Sequence, residues 1–294
     1  MDKSEYKPQE KRNVALSSIA AAIFLTGFKL VVGVMTGSLG ILSEALHSGL
    51  DLIAAIITYF SVRFSDLPPD ENHNYGHGKI ENYSALVETI LLFITCVWII
   101  YEAVRRIITH EVEIDITIWS YIVVISSIII DISRSRALKK AAIKYNSQAL
   151  EADALHFSTD ILSSLVVLIG LIASSFNFFY ADSIAAFAVS IIVLIISFRL
   201  GKRSFDALID KAPPGVSDTV KEILDNHSEV KYYHNLKIRE SGPYKFIDVN
   251  IHVEKTLDIM AAHNICDEIE VEISRKIKRS QTNIHLEPDI DENP

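Results

Sequence analysis

The chain has 294 residues, of which 49% are apolar and 22% are charged, and its formal net charge is −9. A negative net charge, without a basic aromatic patch or a Gly-rich phosphate loop, argues against a nucleic-acid-binding protein. Two cysteines, Cys96 and Cys266, lie too far apart in the sequence to indicate a disulfide framework or a thiolate zinc site.

Long apolar runs fill the first part of the chain and give way to a mixed, charged sequence between Arg199 and Arg203. A helix needs about 20 mostly apolar residues to cross a membrane. Runs near that length predict six transmembrane helices, at residues 14–35, 39–62, 80–104, 116–133, 150–174 and 181–200. Core helices of a soluble protein are a poor alternative, because all six runs approach membrane length and carry a consistent charge bias at their ends.

This composition predicts three parts: a cytoplasmic N-terminal segment at 1–13, a transmembrane domain at 14–203 and a cytoplasmic C-terminal domain at 204–294. Lys and Arg residues gather before the first run, after the second, after the fourth and after the sixth. By the positive-inside rule, both termini are therefore cytoplasmic. The first run is too long for a signal peptide and is interpreted as a retained helix.

The second and fifth predicted helices each contain a His-x-x-x-Asp pair, His47 with Asp51 and His156 with Asp160. Residues four apart share one face of a helix, and ionisable side chains inside a membrane normally face the bundle interior. Two imidazoles and two carboxylates suit a tetrahedral Zn²⁺ ion. The alternative, in which each pair only hydrogen-bonds to itself, is weakened because the same pair occurs in two helices.

A second group of candidate ligands lies in the loop between the second and third helices. Asp70, His73 and His77 are close in sequence, and the glycines around His77 allow the backbone to bend around an ion. Taken alone, these residues favour a polar turn with exposed histidines over a metal site.

The C-terminal part fits a small α/β domain. Its pattern predicts, in order, a helix at Val216–His227, strands at Lys231–Glu240 and Lys245–Glu254, a helix at Ile259–Lys278 and a short strand at Asn283–Leu286. Four histidines, at 234, 252, 263 and 285, are dense for so small a domain. They are either metal ligands or scattered surface residues.

In this order, the segments resemble the cation diffusion facilitator family of divalent-metal/proton exchangers, over nearly the whole chain. The resemblance rests on the turn Thr36–Leu39, on Glu44–Asp51, on the Gly-His-Gly-Lys stretch within His73–Glu81, and on His156–Asp160. It implies six transmembrane helices followed by a cytoplasmic αββαβ domain that resembles ferredoxin and metallochaperone folds. It also implies a homodimer in membrane lipid that exports metal against inward proton flow and is not an enzyme.

The resemblance assigns roles to particular residues. It implies a transport site at His47, Asp51, His156 and Asp160, a loop site at Asp70, His73 and His77, a regulatory zinc cluster at His234, His263, His285 and Glu287, and a charge link between Lys79 and Asp210. Asn250 stands where relatives often have a ligand histidine. Because His252 lies two residues further on, on the same strand face, it is a candidate replacement.

His47 also bears on the choice of metal, because many bacterial relatives have Asp at this position. Imidazole in place of a carboxylate favours zinc or cobalt over manganese. We therefore expect Zn²⁺, with Cd²⁺, Co²⁺, Fe²⁺ and Mn²⁺ as alternatives, carried across the inner or plasma membrane of a bacterium. A zinc-binding membrane sensor without transport stays an alternative, whereas a zinc hydrolase is disfavoured because no open ligand position or His-Glu-x-x-His motif is present.

Overall fold

The computed structural model of the chain describes residues 8–37, 39–109, 118–174 and 181–289. The first two thirds form six long helices, which match the six predicted runs. They are α1 (Pro8–Thr36), α2 (Leu39–Ser65), α3 (Lys79–Thr109), α4 (Ile118–Tyr145), α5 (Gln148–Ser174) and α6 (Ala181–Leu208). Ser38 of the predicted turn and residues 116 and 117 of the fourth run lie outside the described residues.

Several helices are longer than the apolar runs that predicted them. The first begins at Pro8, so the end of the predicted N-terminal segment is helical, and α4 continues to Tyr145. The extension of α4 is stabilised by packing, because Leu138, Ala142 and Tyr145 are buried against neighbouring helices. The sixth helix runs past residue 203, and the division of the chain between 203 and 204 stays a prediction.

The helical bundle exposes apolar side chains and buries polar ones, as expected of a protein surrounded by lipid. Phe24, Val34 and Ile129 are among many large apolar residues that are more than half exposed, whereas Lys29 and Glu88 are buried. Among the described residues, the segments Gln9–Thr36, Glu44–Ser65 and Lys79–Glu102 are long and apolar enough to cross a membrane. The total of six crossings stays a prediction.

The C-terminal part has the predicted αββαβ order, with a three-stranded sheet. Its elements are α7 (Val216–Asn226), β1 (Tyr232–Ser241), β2 (Tyr244–Val253), α8 (Ile259–Lys276) and β3 (Ser280–Pro288). The strand order is β1-β2-β3, with β1 antiparallel and β3 parallel to β2. Val220, Ile251 and Ile269 belong to the core between the sheet and its helices. The last strand is longer than predicted because it pairs with β2 along its whole length.

The two parts meet where the loop before α3 touches the β1–β2 hairpin. A Cβ atom added to Gly78 would lie 2.3 Å from the carbonyl oxygen of Ser241, so no larger residue fits there. Gly242, with a φ of 56°, donates its backbone N–H to Asn82 Oδ1 over 2.9 Å. The second glycine of the Gly-His-Gly-Lys stretch is therefore required by a backbone contact between the two domains.

Candidate metal centre

The two predicted His–Asp pairs come together inside the helical bundle. His47 and Asp51 lie on adjacent turns of α2, and His156 and Asp160 lie on adjacent turns of α5. Because each pair is spaced by four residues, both of its side chains lie on one helix face. The α2 face that carries the first pair meets the α5 face that carries the second. The side chains of Asp51, His156 and Asp160 are each less than one sixth exposed.

The donor atoms of these pairs lie at the separations that a tetrahedral ion requires. His156 Nε2 is 3.0 Å from Asp51 Oδ1, and His47 Nε2 is 3.7 Å from Asp160 Oδ1. Within each helix the imidazole nitrogen and carboxylate oxygen are 3.9 Å apart in α2 and 3.8 Å apart in α5. Zinc bonds of about 2.0–2.1 Å separate the ligand atoms of a tetrahedron by about 3.3 Å. His47, Asp51 and Asp160 offer ligand atoms that all lie within 4.8 Å of one another. His156 is outside that group of three but contacts both carboxylates, so its ring has to move toward His47 to complete a four-ligand shell.

One carboxylate oxygen of this group has no hydrogen-bond partner among the described residues. Asp160 Oδ2 is buried and makes no hydrogen bond to any described residue. A buried polar atom without a partner is costly, and a bound cation would satisfy it. The donor set and this oxygen together fit a divalent metal ion.

A small polar cavity of about 70 Å³ adjoins the centre. Its lining includes His47, Asp51 and Asp160, together with Lys29, Glu44 and Asp131. Lys29 Nζ donates a hydrogen bond to Ser48 Oγ over 2.8 Å and lies 3.2 Å from Glu44 Oε2. Lys29 is thus a buried cation that offsets part of the negative charge beside the four candidate ligands.

Further buried charges surround the centre, and sequence reasoning missed their pairing. Arg134 on α4 lies 3.4 Å from Asp131, donates to Ser18 over 3.1 Å and stacks on the ring of Phe157 at 3.4 Å. Arginine stacks on aromatic faces through a cation–π contact. Asp131 lies inside the fourth predicted run, 116–133, and Arg134 directly follows that run. Their spacing of three residues, which places both on one helix face, was the signal for this pair.

The predicted loop residues also lie together. Asp70 Oδ1 accepts hydrogen bonds from the backbone N–H groups of Asn72 (2.9 Å) and His73 (2.7 Å), which fold the loop back on itself. His73 Nδ1 is 3.0 Å from Asp70 Oδ1, and His77 Nε2 is 3.4 Å from Asp70 Oδ2. The three side chains offer ligand atoms within 4.8 Å of one another. This geometry fits a small, solvent-accessible metal site with three protein ligands.

The same hydrogen bonds keep the loop carboxylate ionised. The backbone N–H of His73 is the main cause that lowers the pKa of Asp70 below its usual value, and the Asn72 N–H contributes. Because folding lowers the pKa of Asp70, the ionised carboxylate stabilises the fold at pH values above its usual pKa. This stabilisation is lost as the pH falls through the lowered pKa. Asp70 therefore stays available as a ligand in mildly acidic solution.

A third group of candidate ligands lies on one face of the C-terminal sheet. His252 Nε2 is 3.2 Å from His234 Nδ1 and 3.5 Å from Glu287 Oε2, and His234 Nε2 is 3.6 Å from Glu287 Oε1. His285 Nε2 is 3.8 Å from the same carboxylate and is mostly exposed. His234, His252 and Glu287 offer ligand atoms within 4.8 Å of one another, whereas His285 contacts only the carboxylate and lies at the edge of the cluster.

His263 lies in another layer of the domain. It is on α8, where its Nε2 is 3.8 Å from Asp267 Oδ1, and it is outside the described group of His234, His252 and Glu287. The helix packs through Ile265 and Ile269 on the apolar side of the sheet. Along each strand, the candidate ligands alternate with the apolar residues that face α8. The ligands therefore lie on the opposite face of the sheet from α8.

Asn250 lies in the middle of this cluster, between His234 and His285 in the strand register. Its Nδ2 donates to Glu287 Oε1 over 2.6 Å and lies 3.4 Å from His234 Nε2. That hydrogen bond is the main cause that lowers the pKa of Glu287 below its usual value. The Asn250 amide thus holds the carboxylate ionised without itself supplying an imidazole ligand.

We expect Asn250→His to raise the zinc affinity of this cluster about tenfold, because it adds an imidazole beside His234 and Glu287. Zinc titration of the full-length protein, carrying Asp51→Ala to silence the transmembrane centre, measures the effect. Asn250→Ala is the matched control and is expected to bind no more tightly than the parent. Equal affinities in the His and Ala variants would contradict a role for this position in the cluster.

The predicted charge link joins α3 to the end of α6. Lys79 Nζ is 2.8 Å from Asp210 Oδ1 and donates to the Leu208 carbonyl oxygen over 3.2 Å. Arg239 of β1 lies 3.9 Å from the other oxygen of Asp210 and stacks over Tyr75 of the loop, 3.8 Å from its ring centre. Asp210 therefore connects the bundle, the loop and the C-terminal domain.

Substituting Lys79 by Met is expected to slow cation transport several-fold while changing the melting temperature little, because an exposed ion pair contributes only about 0–1 kcal/mol. Lys211→Met, which removes a neighbouring exposed pair with Asp206 (2.6 Å), is the control. Transport assays and thermal unfolding of both variants show whether the charge link acts as a hinge between the bundle and the C-terminal domain or is only a surface contact. A hinge role is refuted when both variants transport alike.

Comparison with known proteins gives matches for both parts of the chain. Residues 15–209 match the family model for the cation efflux transmembrane domain, and residues 212–289 match that for the cation efflux protein cytoplasmic domain. The cation-efflux pump FieF of Yersinia enterocolitica is 30% identical over 287 residues, covering 96% of this chain and 95% of the pump. FieF of Serratia proteamaculans is 28% identical over 280 residues, covering 94% of this chain and 92% of that pump. A solved chain of CzrB is 28% identical, with a TM-score of 0.26 over 26% of this chain and 98% of its own length.

Proposed function

The chain belongs to the cation diffusion facilitator family of cation-efflux transporters, and from that membership we propose that it exports Zn²⁺ from the cytoplasm in exchange for protons. The observation that carries the proposal is the convergence of two His–Asp pairs, from α2 and α5, on one point inside the bundle. The four distances between their imidazole nitrogens and carboxylate oxygens are 3.0–3.9 Å, near the ligand separation of tetrahedral zinc.

Exchange follows from the chemistry of the ligands. Zinc needs neutral imidazole and ionised carboxylate, so metal and protons compete for His47, Asp51, His156 and Asp160. On the cytoplasmic side, where protons are scarcer, metal binds and protons leave. On the far side, protonation weakens binding and metal is released. A bundle that alternates between two open states converts this competition into transport.

The orientation of the protein in the membrane follows from the position of the C-terminal domain. The hairpin of that domain touches the loop between α2 and α3, so both lie on one side of the bundle. The positive-inside rule makes that side the cytoplasm. The relatives named above are bacterial pumps, which supports a multi-pass protein of a bacterial inner membrane.

The cytoplasmic parts fit a supporting role for metal. The cluster of His234, His252, His285 and Glu287 has the ligand types to hold Zn²⁺, and the match to the cytoplasmic-domain model supports a homodimer. The loop group of Asp70, His73 and His77 lies at the contact between the two domains. Metal at either position would favour one arrangement of bundle and domain over another.

Zinc flux measured in proteoliposomes tests the proposal. The purified full-length protein is reconstituted around a zinc-sensitive dye, with the interior more acidic than the outside. We expect zinc uptake that stops when a proton carrier collapses the gradient. Zinc binding without flux would make the protein a membrane sensor or scaffold. Flux that is indifferent to the gradient would refute proton exchange, and parallel assays with Cd²⁺, Co²⁺, Fe²⁺ and Mn²⁺ identify the preferred metal.

A further inference from the structure

A cleft of about 400 Å³ opens between α4, α5 and α6 at the cytoplasmic end of the bundle. Its volume lies in the range of small-molecule sites, about 300–1,000 Å³. Lys139 of α4 and Arg199 and Arg203 of α6 line it, with one acidic residue, Glu151 of α5. The cleft therefore carries an excess of positive charge.

Two of the three cations in this cleft are available to a ligand. Arg203 forms an ion pair with Glu151 across the cleft. Within the described part of the chain, neither Lys139 nor Arg199 makes an ion pair or a side-chain hydrogen bond, and both are exposed. Two unpaired cations facing one cleft repel each other and attract a shared anion.

Most of the remaining lining is apolar. Leu155 of α5, and Ile196 and Leu200 of α6, line the same cleft. Ile196 belongs to the apolar stretch that precedes Arg199, so the cleft runs from a basic mouth at the membrane surface to an apolar interior. A soluble phosphate would leave the apolar part uncovered.

We propose that this cleft binds an anionic phospholipid, with the headgroup phosphate between Lys139 and Arg199 and one acyl chain along Leu155 and Ile196. Basic pockets between transmembrane helices on the cytoplasmic side are suited to such headgroups. The positive mouth also makes the cleft a poor route for a divalent metal ion, which the same charges repel.

The position of the cleft connects lipid binding to the metal centre. Ser158, between His156 and Asp160 on α5, lines the cleft. An acyl chain seated there contacts the helix that supplies two of the four candidate ligands. The lipid therefore stabilises the packing of α5 on α6, and this holds whether or not the protein transports zinc.

Native mass spectrometry of the full-length protein, with phosphatidylglycerol or phosphatidylcholine added in detergent, tests the proposal. Phosphatidylglycerol is expected to remain bound at about tenfold lower concentration than phosphatidylcholine and to raise the melting temperature. The double variant Lys139→Gln, Arg199→Gln, which keeps the Arg203–Glu151 pair, is expected to lose that preference. Lys139→Gln alone is expected to weaken the preference for phosphatidylglycerol several-fold. This single variant provides the test when the double variant does not fold.

The matched control is Lys140→Gln, Lys202→Gln, which removes the same charge from the same two helices outside the cleft. It is expected to retain the preference for phosphatidylglycerol. Equal loss in the cleft and control variants would mean diffuse surface attraction and would overturn the site. Absence of any preference in the parent protein overturns it as well. Complete displacement of the lipid by glycerol phosphate would make the cleft a soluble-phosphate site instead.

Discussion

Zinc transport is expected to fall at least about 100-fold when Asp51 is replaced by Ala, because losing even an outer partner of a metal ligand costs about 10–100-fold. Asp51 is the carboxylate nearest to His156 Nε2, at 3.0 Å, and it also faces His47 at 3.9 Å. Without it, three donors remain, and α2 contributes only an imidazole to the shared point. The dimer is expected to fold, because the carboxylate contributes little to packing between the helices.

Initial rates of zinc uptake in proteoliposomes, normalised to reconstituted protein, measure this loss. Asp160→Ala removes the corresponding carboxylate of α5 and is expected to have the same effect. Asp206→Ala removes an acidic residue near the end of α6, outside the centre, and is the control for the loss of a negative charge. Size-exclusion chromatography confirms that each variant is assembled. Wild-type uptake by either Asp51→Ala or Asp160→Ala would rule out the proposed transport site.

The helical bundle could be predicted from the sequence because hydropathy reports directly which segments lie in hydrocarbon. The ends of the helices could not. The fourth helix continues to Tyr145 through a charged stretch, because Leu138 and Ala142 pack against neighbouring helices there. The apolar run marks only the part of a helix that meets lipid. The part that extends into the cytoplasm is decided by packing partners that are distant in sequence.

The candidate ligands could be predicted in the same local way. A spacing of four residues places His47 with Asp51, and His156 with Asp160, whatever surrounds them. Which cation neutralises the cavity beside them depends on how each helix is rotated in the bundle. The contact between Lys29 of α1 and Glu44 of α2 is therefore a result of the fold, visible only once the helices are packed.

In the C-terminal domain, alternation along β2 predicted that Asn250 and His252 share a face, and they do. The strand pairing that brings His234 and Glu287 to that face joins residues far apart in the chain. The same pairing extends β3 beyond the short segment that its composition predicted. Local patterns thus predict the strands and their faces, whereas the membership of the cluster depends on register.

Exchanging His47 for Asp is expected to lower the ratio of zinc to manganese transport by at least about tenfold. The substitution turns a centre of two imidazoles and two carboxylates into one imidazole and three carboxylates. Carboxylate oxygens suit Mn²⁺, whereas imidazole suits Zn²⁺ and Co²⁺. His47 is also the most exposed of the four candidate ligands, at 39%, so an aspartate there can adjust to a larger ion.

Competition between Zn²⁺, Cd²⁺ and Mn²⁺ for uptake by the reconstituted variant measures this change in selectivity. His47→Asn is the matched control, because it has nearly the shape of Asp but offers a neutral, weak ligand. We expect His47→Asn to transport all three metals poorly, so that a gain for Mn²⁺ or Cd²⁺ in His47→Asp is due to the carboxylate. A metal profile identical to that of the parent protein would show that His47 does not select the cargo. Selectivity would then lie in the ions admitted to the cavity beside Lys29 and Glu44.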